Sequence, residues 1–159
     1  MKKFELTSEF VTFLGKKLFR IKALISFGNV EEGELGGYVE KEENLSNDGD
    51  AWVYGDAWVY GDARVSGNAW VSGNAWVSGN AWVSGDADYA TVHGFGSEYR
   101  TTTFFRTKAG DIGVRCGCFY GTLEEFRAKV KETHGETKTA KEYLMVADLM
   151  EFRFSKEEA

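Results

Sequence analysis

Six consecutive copies of one hexapeptide occupy residues 51–86, and they constrain the fold of this chain more than any other feature. They read AWVYGD, AWVYGD, ARVSGN, AWVSGN, AWVSGN and AWVSGD. Alanine and valine stand two residues apart, so in an extended segment they point to one side, while the residue between them points to the other. Glycine followed by aspartate or asparagine then turns the chain, because both can adopt the left-handed backbone conformation. Such a repeat predicts an architecture of repeated units.

Two architectures fit this pattern. Three units can close a triangular coil of eighteen residues with valine inside, or the units can form a β-meander with hairpins at each Gly-Asp or Gly-Asn. Because the inward positions are the same in every unit, stacked coils are favoured. The V-x-G-x-A-x frame also resembles the hexapeptide-repeat family, and that resemblance implies a left-handed parallel β-helix.

We therefore predict a mainly β protein built on a short left-handed parallel β-helix of about three to four coils. An N-terminal β-hairpin cap and a C-terminal ββαα unit are expected to flank it. The predicted boundaries are 1–30 for the hairpin cap, 31–95 for the β-helix and 96–159 for the C-terminal domain. The hairpin is expected over residues 4–25, with its turn at Gly15-Lys16.

The sequence changes character after Gly96. Two strands are predicted over residues 99–107 and 112–119, followed by two helices. Each helix has a capping-box pattern, in which a threonine is followed three residues later by a glutamate. The predicted boxes are Thr122 with Glu125 and Thr139 with Glu142.

The charge balance and hydropathy exclude several classes of partner. The chain has 19 Lys and Arg against 25 Asp and Glu, a net charge of −6. Binding to duplex nucleic acid normally needs a basic stripe that releases counterions, so we predict none. There is no run of eighteen apolar residues and no signal peptide, so we predict no membrane association and a cytoplasmic location.

No metal or cofactor is predicted. Cys116 and Cys118 share one face of a predicted strand and read as small apolar residues. A zinc site would need both cysteines together with His93 and His134, and C-x-C is not the usual finger spacing. Carbonic anhydrases of this fold use three metal-binding histidines, whereas this sequence has two.

All five tryptophans lie in the repeat, and the alternation is expected to point them outward. Residues eighteen apart should stack about 4.8 Å apart on one face of neighbouring coils. The three expected pairs are Trp52–Trp70, Trp58–Trp76 and, as a cation–π contact, Arg64–Trp82. With Tyr54 and Tyr60, these rings would expose the few hundred Å² that usually mark an interaction site. We predict that they bind a second copy of the chain, with a homotrimer as the expected state, or a ligand.

The family resemblance also raises an enzymatic alternative. Hexapeptide acyltransferases use a histidine as general base against coenzyme A thioesters, and only His93 is placed for that role here. An active site needs distinct groups at distinct places, whereas these repeats offer nearly the same residues on every face. We therefore predict that the protein is not an enzyme and keep the acyltransferase as an alternative.

The whole chain resembles small phage and prophage hexapeptide-repeat proteins. The resemblance rests on KLFRIKAL at 17–24, LGGYVE at 35–40, the repeats, and CGCF at 116–119. The context of such proteins implies accessory roles, including interference with host defence. We therefore predict a non-catalytic oligomeric binding protein for a host factor or a small nucleotide signal. Outward tryptophans would stack on the base, and Arg64, Arg100 or Arg106 would pair with phosphate. A purely structural spacer is the other alternative.

Overall fold

The computed structural model describes residues 2–95, 100–117 and 119–155. Within these ranges the chain forms thirteen strands and two helices. The strands are β1 Phe4–Phe13, β2 Lys16–Ala23, β3 Leu35–Val39, β4 Trp52–Val53, β5 Trp58–Val59, β6 Arg64–Val65, β7 Trp70–Val71, β8 Trp76–Val77, β9 Trp82–Val83, β10 Tyr89–Phe95, β11 Arg100–Arg106, β12 Ile112–Cys116 and β13 Phe119–Thr122. The helices are α1 Leu123–His134 and α2 Lys138–Phe154.

The described strands assemble into several small sheets, and the predicted left-handed parallel β-helix of three to four coils is wrong. One sheet has five strands in the order β1-β2-β3-β5-β8 and mixes antiparallel with parallel pairs. A second sheet has four antiparallel strands, β10 to β13. The remaining pairs, β4–β7 and β6–β9, are parallel and two-stranded. The fold is therefore mainly β, with mixed and antiparallel sheets and two C-terminal helices, and its sheets do not form a regular parallel solenoid.

The reason lies in how little of each hexapeptide is strand. Only the Trp-Val or Arg-Val dipeptide of each copy pairs as strand, because the Gly-Asp or Gly-Asn turn and its neighbours take up the other positions. The longer strands of the chain come from the flanking segments, and these pair antiparallel.

The repeats nevertheless stack in three rows, each joining residues eighteen positions apart. The first row pairs Trp52 with Trp70, the second pairs Trp58 with Trp76, and the third pairs Arg64 with Trp82, as the sequence predicted. Tyr38 of β3 extends the second row beyond Trp58, and Leu45 extends the third through Val65. The alanines and valines of all six copies are at most 1 % exposed and form the core beneath the rows.

The N-terminal hairpin extends the second row. β1 and β2 pair antiparallel around a turn at Leu14-Gly15, one residue earlier than predicted. Both turn residues have positive φ, 49° for Leu14 and 78° for Gly15, which matches the right-handed twist of a two-residue hairpin. β2 then pairs with β3, so the hairpin joins the repeat sheet at its edge.

The C-terminal unit has four strands, where the sequence predicted two. β10 comes from residues at the C-terminal end of the predicted β-helix, and it pairs with β11. β13 follows β12 and leads directly into α1. Helices α1 and α2 pack on this sheet through a second core that includes Phe104, Phe126 and Met150.

The helix starts test two predictions made from capping patterns. Thr122 and Glu125 form the predicted capping box of α1, with Glu125 N donating to Thr122 Oγ1 over 3.1 Å. For α2 the prediction is wrong, because the N-cap is Thr137, whose Oγ1 accepts from Ala140 N at 3.2 Å. Neither helix in the described part of the chain has the length and apolar character needed to cross a bilayer.

Candidate functional site

Other segments of the chain cover the tryptophans of the first row. Trp52 was expected to face outward, but it is fully buried, with the Phe27 ring packed edge-on at 5.3 Å. Gly36 lets β3 approach closely, since a Cβ there would lie 2.8 Å from the Trp52 ring. Trp70 is half-buried and packs against Tyr54 at 5.0 Å. This row therefore offers little indole surface to a partner.

The second row is covered by the tip of the hairpin. Trp58 and Trp76 stack in parallel with centroids 4.4 Å apart, and Phe13 packs on them at 5.3 and 4.9 Å. Tyr60 is buried beside the same Phe13. The buried Arg115 guanidinium lies between Phe13 and Tyr60, at 5.3 and 5.6 Å from their ring centroids. These contacts lock the hairpin, the repeats and β12 together.

The third row is open and lies on the floor of two adjoining grooves. One groove of about 700 Å³ and another of about 600 Å³ share Glu43, Arg64 and Trp82 in their walls. Trp82 is 44 % exposed, and Arg64 is exposed beside it. The open row therefore places an accessible indole next to an accessible guanidinium.

Fixed backbone on both sides holds the walls of these grooves. On one side, buried Asn44 donates to Gly61 O and Ala63 O at 3.2 and 2.9 Å, which anchors the 3₁₀ turn Glu42–Asn44 to the repeat. On the other side, Lys108 N donates to Asn80 O at 2.8 Å and fixes the β11–β12 turn. The side chain of Glu43 lines both grooves, and that of Lys108 lines the smaller one.

Most of the charges around the grooves neutralise each other. Glu42 is paired with Lys2, Asp62 with Lys41 at 3.2 Å, and Asp88 with Arg106 at 2.9 Å. Asp88 also accepts from Ser84 N and Oγ at 3.0 and 2.9 Å, so it is firmly held.

Three groove charges form no ion pair with any described residue: the cations Arg64 and Lys108, and the acid Glu43. The described walls of the two grooves hold four acids and four cations and are neutral overall, so Arg64 and Lys108 are the cations left for a ligand, in a protein whose net charge is −6.

Lys108, rather than the predicted Arg64, provides the cation–π contact of Trp82. Its Nζ lies 5.2 Å from the ring centroid. The indole and two cations thus form one cluster that can stack a planar ring and neutralise an anion.

No protein-family model matches this chain, and no curated protein matches it.

The structure brings together three of the predicted binding residues and separates the others. Arg64, Trp82 and Arg106 line the larger groove, although Arg106 is already engaged by Asp88. Arg106 also lies over the Phe154 ring at 5.3 Å, which ties it to α2. Arg100 begins β11, and its side chain lies outside the described part of the chain. The predicted residues that belong instead to the two covered rows are Trp52, Tyr54, Trp58, Tyr60, Trp70 and Trp76.

Sequence reasoning missed Lys108 and Glu43. Both lie in turns outside the repeat, and nothing in the sequence pattern links them to position 82. One usable signal was present: in the column of repeated tryptophans, only positions 64 and 88 depart from tryptophan. Arg64 and Asp88 both line the larger groove. Departures from a repeat can thus mark a site, because identical faces offer no specificity.

His93, His134 and Cys116 are absent from the walls of these grooves. His93 is exposed on β10, with Nδ1 2.8 Å from Thr101 Oγ1, and it is absent from the walls of both grooves. Cys116 is half-buried and accepts a hydrogen bond from Thr102 Oγ1 at 3.2 Å, while Cys118 lies outside the described residues. In the described ranges no group of His, Cys, Asp and Glu is arranged to hold a metal ion.

Proposed function

We propose that this protein is a non-catalytic binding protein that takes a small nucleotide in the open third row. The base stacks on Trp82, and the phosphate is held by Arg64 and Lys108. The observation that carries the proposal is the meeting of an exposed indole with two cations that have no ion pair among the described residues. Aromatic stacking with charge-assisted hydrogen bonds is the usual chemistry of nucleotide capture.

The size and electrostatics of the grooves support a small anion over a large one. Volumes of about 700 and 600 Å³ lie within the range of small-molecule sites. The two cations without an ion pair among the described residues are Arg64 and Lys108, and acids surround them. An extended polyanion such as duplex DNA would meet those acids, whereas a mononucleotide or dinucleotide contacts the cations alone.

The resemblance to phage and prophage proteins supports a finer proposal. In that setting the ligand is a nucleotide signal of the host, and sequestering it in the host cytoplasm interferes with defence. The spacer and acyltransferase alternatives gain no specific support, since the grooves provide a binding surface and His93 lies outside their walls.

A thermal-shift panel tests the proposal. The protein is heated with mononucleotides, linear dinucleotides and cyclic dinucleotides, because a ligand that binds the folded state raises Tm. We expect at least one nucleotide to raise Tm, and inorganic phosphate to raise it less because phosphate lacks the ring. Arg64→Gln should weaken that nucleotide about tenfold, the loss expected for one charge-assisted contact.

Lys22→Gln is the control, since Lys22 is an exposed cation on β2 that lines neither groove. It should leave the nucleotide shift unchanged. If no nucleotide in the panel raises Tm, or if Arg64→Gln binds as tightly as the wild type, the proposed function is wrong.

A further inference from the structure

Helix α2 carries an apolar stripe on the side opposite its core. Ala140, Tyr143, Ala147 and Met150 are buried against the sheet and α1. Met145, Leu149 and Phe152 follow the i, i+4, i+7 spacing of one helix face, and they are 71 %, 56 % and 78 % exposed. A helix that is apolar on two opposite faces is normally covered on both.

We propose that this stripe is the interface of a homodimer, in which α2 packs antiparallel against α2 of a second copy. The inference is independent of the nucleotide proposal. A twofold axis makes such an interface self-complementary, because each copy presents the same patch to the other. With the axis level with residue 147, Leu149 of each copy meets Met145 of the other, and Phe152 closes each end.

Charge complementarity selects a second copy as the occupant. Glu142 and Arg153 are eleven residues apart, close to three full turns, so both flank the same side of the stripe. Their midpoint along the helix falls within one residue of the midpoint between Met145 and Leu149. The same twofold axis therefore brings Glu142 of each copy opposite Arg153 of the other.

These flanking charges are available for that pairing. Neither Glu142 nor Arg153 forms an ion pair with another described residue. On the other flank, Arg127 of α1 already holds Asp148 and Glu151, each at 2.8 Å. The net charge of −6 disfavours an anionic membrane surface as the occupant of the stripe.

The size of the patch predicts how tight the dimer is. Three exposed side chains give an apolar patch on the order of 400 Å² per copy, a size that is often functional on a monomer. Two such patches with their polar rim stay near the lower limit of standard interfaces, which is typical of weak association. We therefore expect a concentration-dependent dimer with a micromolar Kd.

Sedimentation velocity of the full chain, from about 1 to about 500 µM, tests the inference. The wild type should shift from monomer to dimer, and Leu149→Asp should remain monomeric with an unchanged Tm. Leu35→Asp is the matched control, because Leu35 is 50 % exposed on β3, and it should dimerise normally.

Charge reversal provides a second test that does not disturb the stripe. Glu142→Arg and Arg153→Glu should each weaken the dimer about tenfold, because each turns two attractive pairs into repulsive ones. The double variant restores opposite charges and should recover the wild-type Kd. A monomeric wild type across the whole range, a Leu149→Asp variant that still dimerises, or a double variant no better than the singles would each overturn the inference.

Discussion

Arginine replaces tryptophan at position 64, and at the paired strand positions of the six copies this is the one difference between the third row and the other two. In the first two rows both paired positions are tryptophan, and the rest of the chain packs over them. In the third row a long cation lies beside Trp82, and the neighbouring segments stay at the rims. The residue that breaks the repeat is therefore the one that the proposed ligand uses.

Glycine at the repeat turns allows a residue-scale prediction. Gly67 and Gly73 have nearly the same positive φ, 61° and 66°. A Cβ at Gly67 would lie 2.3 Å from Ser84 O, whereas a Cβ at Gly73 meets nothing within 4 Å. Gly73→Ala should cost about 1–2 kcal/mol from backbone strain alone.

Gly67→Ala should cost clearly more than Gly73→Ala, because it adds a clash with backbone that cannot rotate away. Urea denaturation of both variants gives the two free energies of unfolding. Equal losses would mean that the stacked turns are not in close contact.

Lys3 gives a second residue-scale prediction, on pH. Its side chain is 1 % exposed, and its Nζ donates to Ala51 O at 2.6 Å and to Gly49 O at 3.3 Å. Burial lowers the pKa of Lys3 from 10.5 to about 8, although Asp50 and Asp48 partly offset this effect. In the unfolded chain the same amine keeps its proton until near pH 10.5.

Between about pH 8 and pH 10.5 the unfolded state therefore binds more protons than the folded state, so the Lys3 contribution to stability increases with pH. Relative to Lys3→Met, the wild type should gain up to about 3 kcal/mol across this window. Chemical denaturation at several pH values measures the difference, and exposed Lys22→Met serves as the control. A wild-type profile parallel to that of Lys3→Met would contradict the burial of this amine.

At the scale of elements, the start of α2 separates the sequence prediction from the structure. The T-x-x-E pattern selected Thr139, but Thr137 occupies the N-cap with extended backbone, and Lys138 begins the helix. Thr137→Ala should lower stability by about 1 kcal/mol, the usual cost of losing a cap. Thr139→Ala should be nearly neutral, since alanine is favoured inside a helix. Thermal denaturation of both variants decides between them, and a larger loss for Thr139→Ala would restore the original prediction.

The elements also show how far the sequence pattern reaches. The eighteen-residue pairing of the rows, the buried alanines and valines, and the α1 capping box all follow from local spacing, and all were predictable. The sheet class was not, because it depends on the hairpin joining β3 and on β10 pairing with β11. Each of these is a pairing between strands, and the alternation of apolar and polar residues in each strand is compatible with several pairing partners.

The same dependence on long-range contacts explains why the sequence did not predict which row forms the candidate site. Alternation correctly placed valine inside and tryptophan on the other side, but it could not tell which tryptophans the rest of the chain would cover. Phe27 covers Trp52, and Phe13 covers the Trp58–Trp76 pair, from distant parts of the sequence. Only Trp82 remains substantially exposed. Which tryptophan stays exposed thus depends on where distant segments pack, and the local repeat pattern carries no information about that.

At the scale of the whole molecule, the two proposed binding surfaces are built from different parts of the chain. The repeats, residues 41–47, Asp88 and the end of β11 with its turn together line the grooves of the open third row. The exposed stripe of α2 faces away from the core of the C-terminal unit. We therefore expect Arg64→Gln to weaken nucleotide binding alone, and Leu149→Asp to abolish self-association alone.

The central claim, that the third row binds a nucleotide through Trp82, is tested most directly by NMR of the five tryptophan indole N–H groups. Trp82→Phe assigns the Trp82 signal, and the nucleotide with the largest thermal shift is then titrated into the wild type. Our account predicts that the Trp82 signal moves and saturates while those of Trp52, Trp58 and Trp76 stay in place. A titration that leaves Trp82 unmoved, or that shifts the Trp58 and Trp76 signals instead, would contradict it.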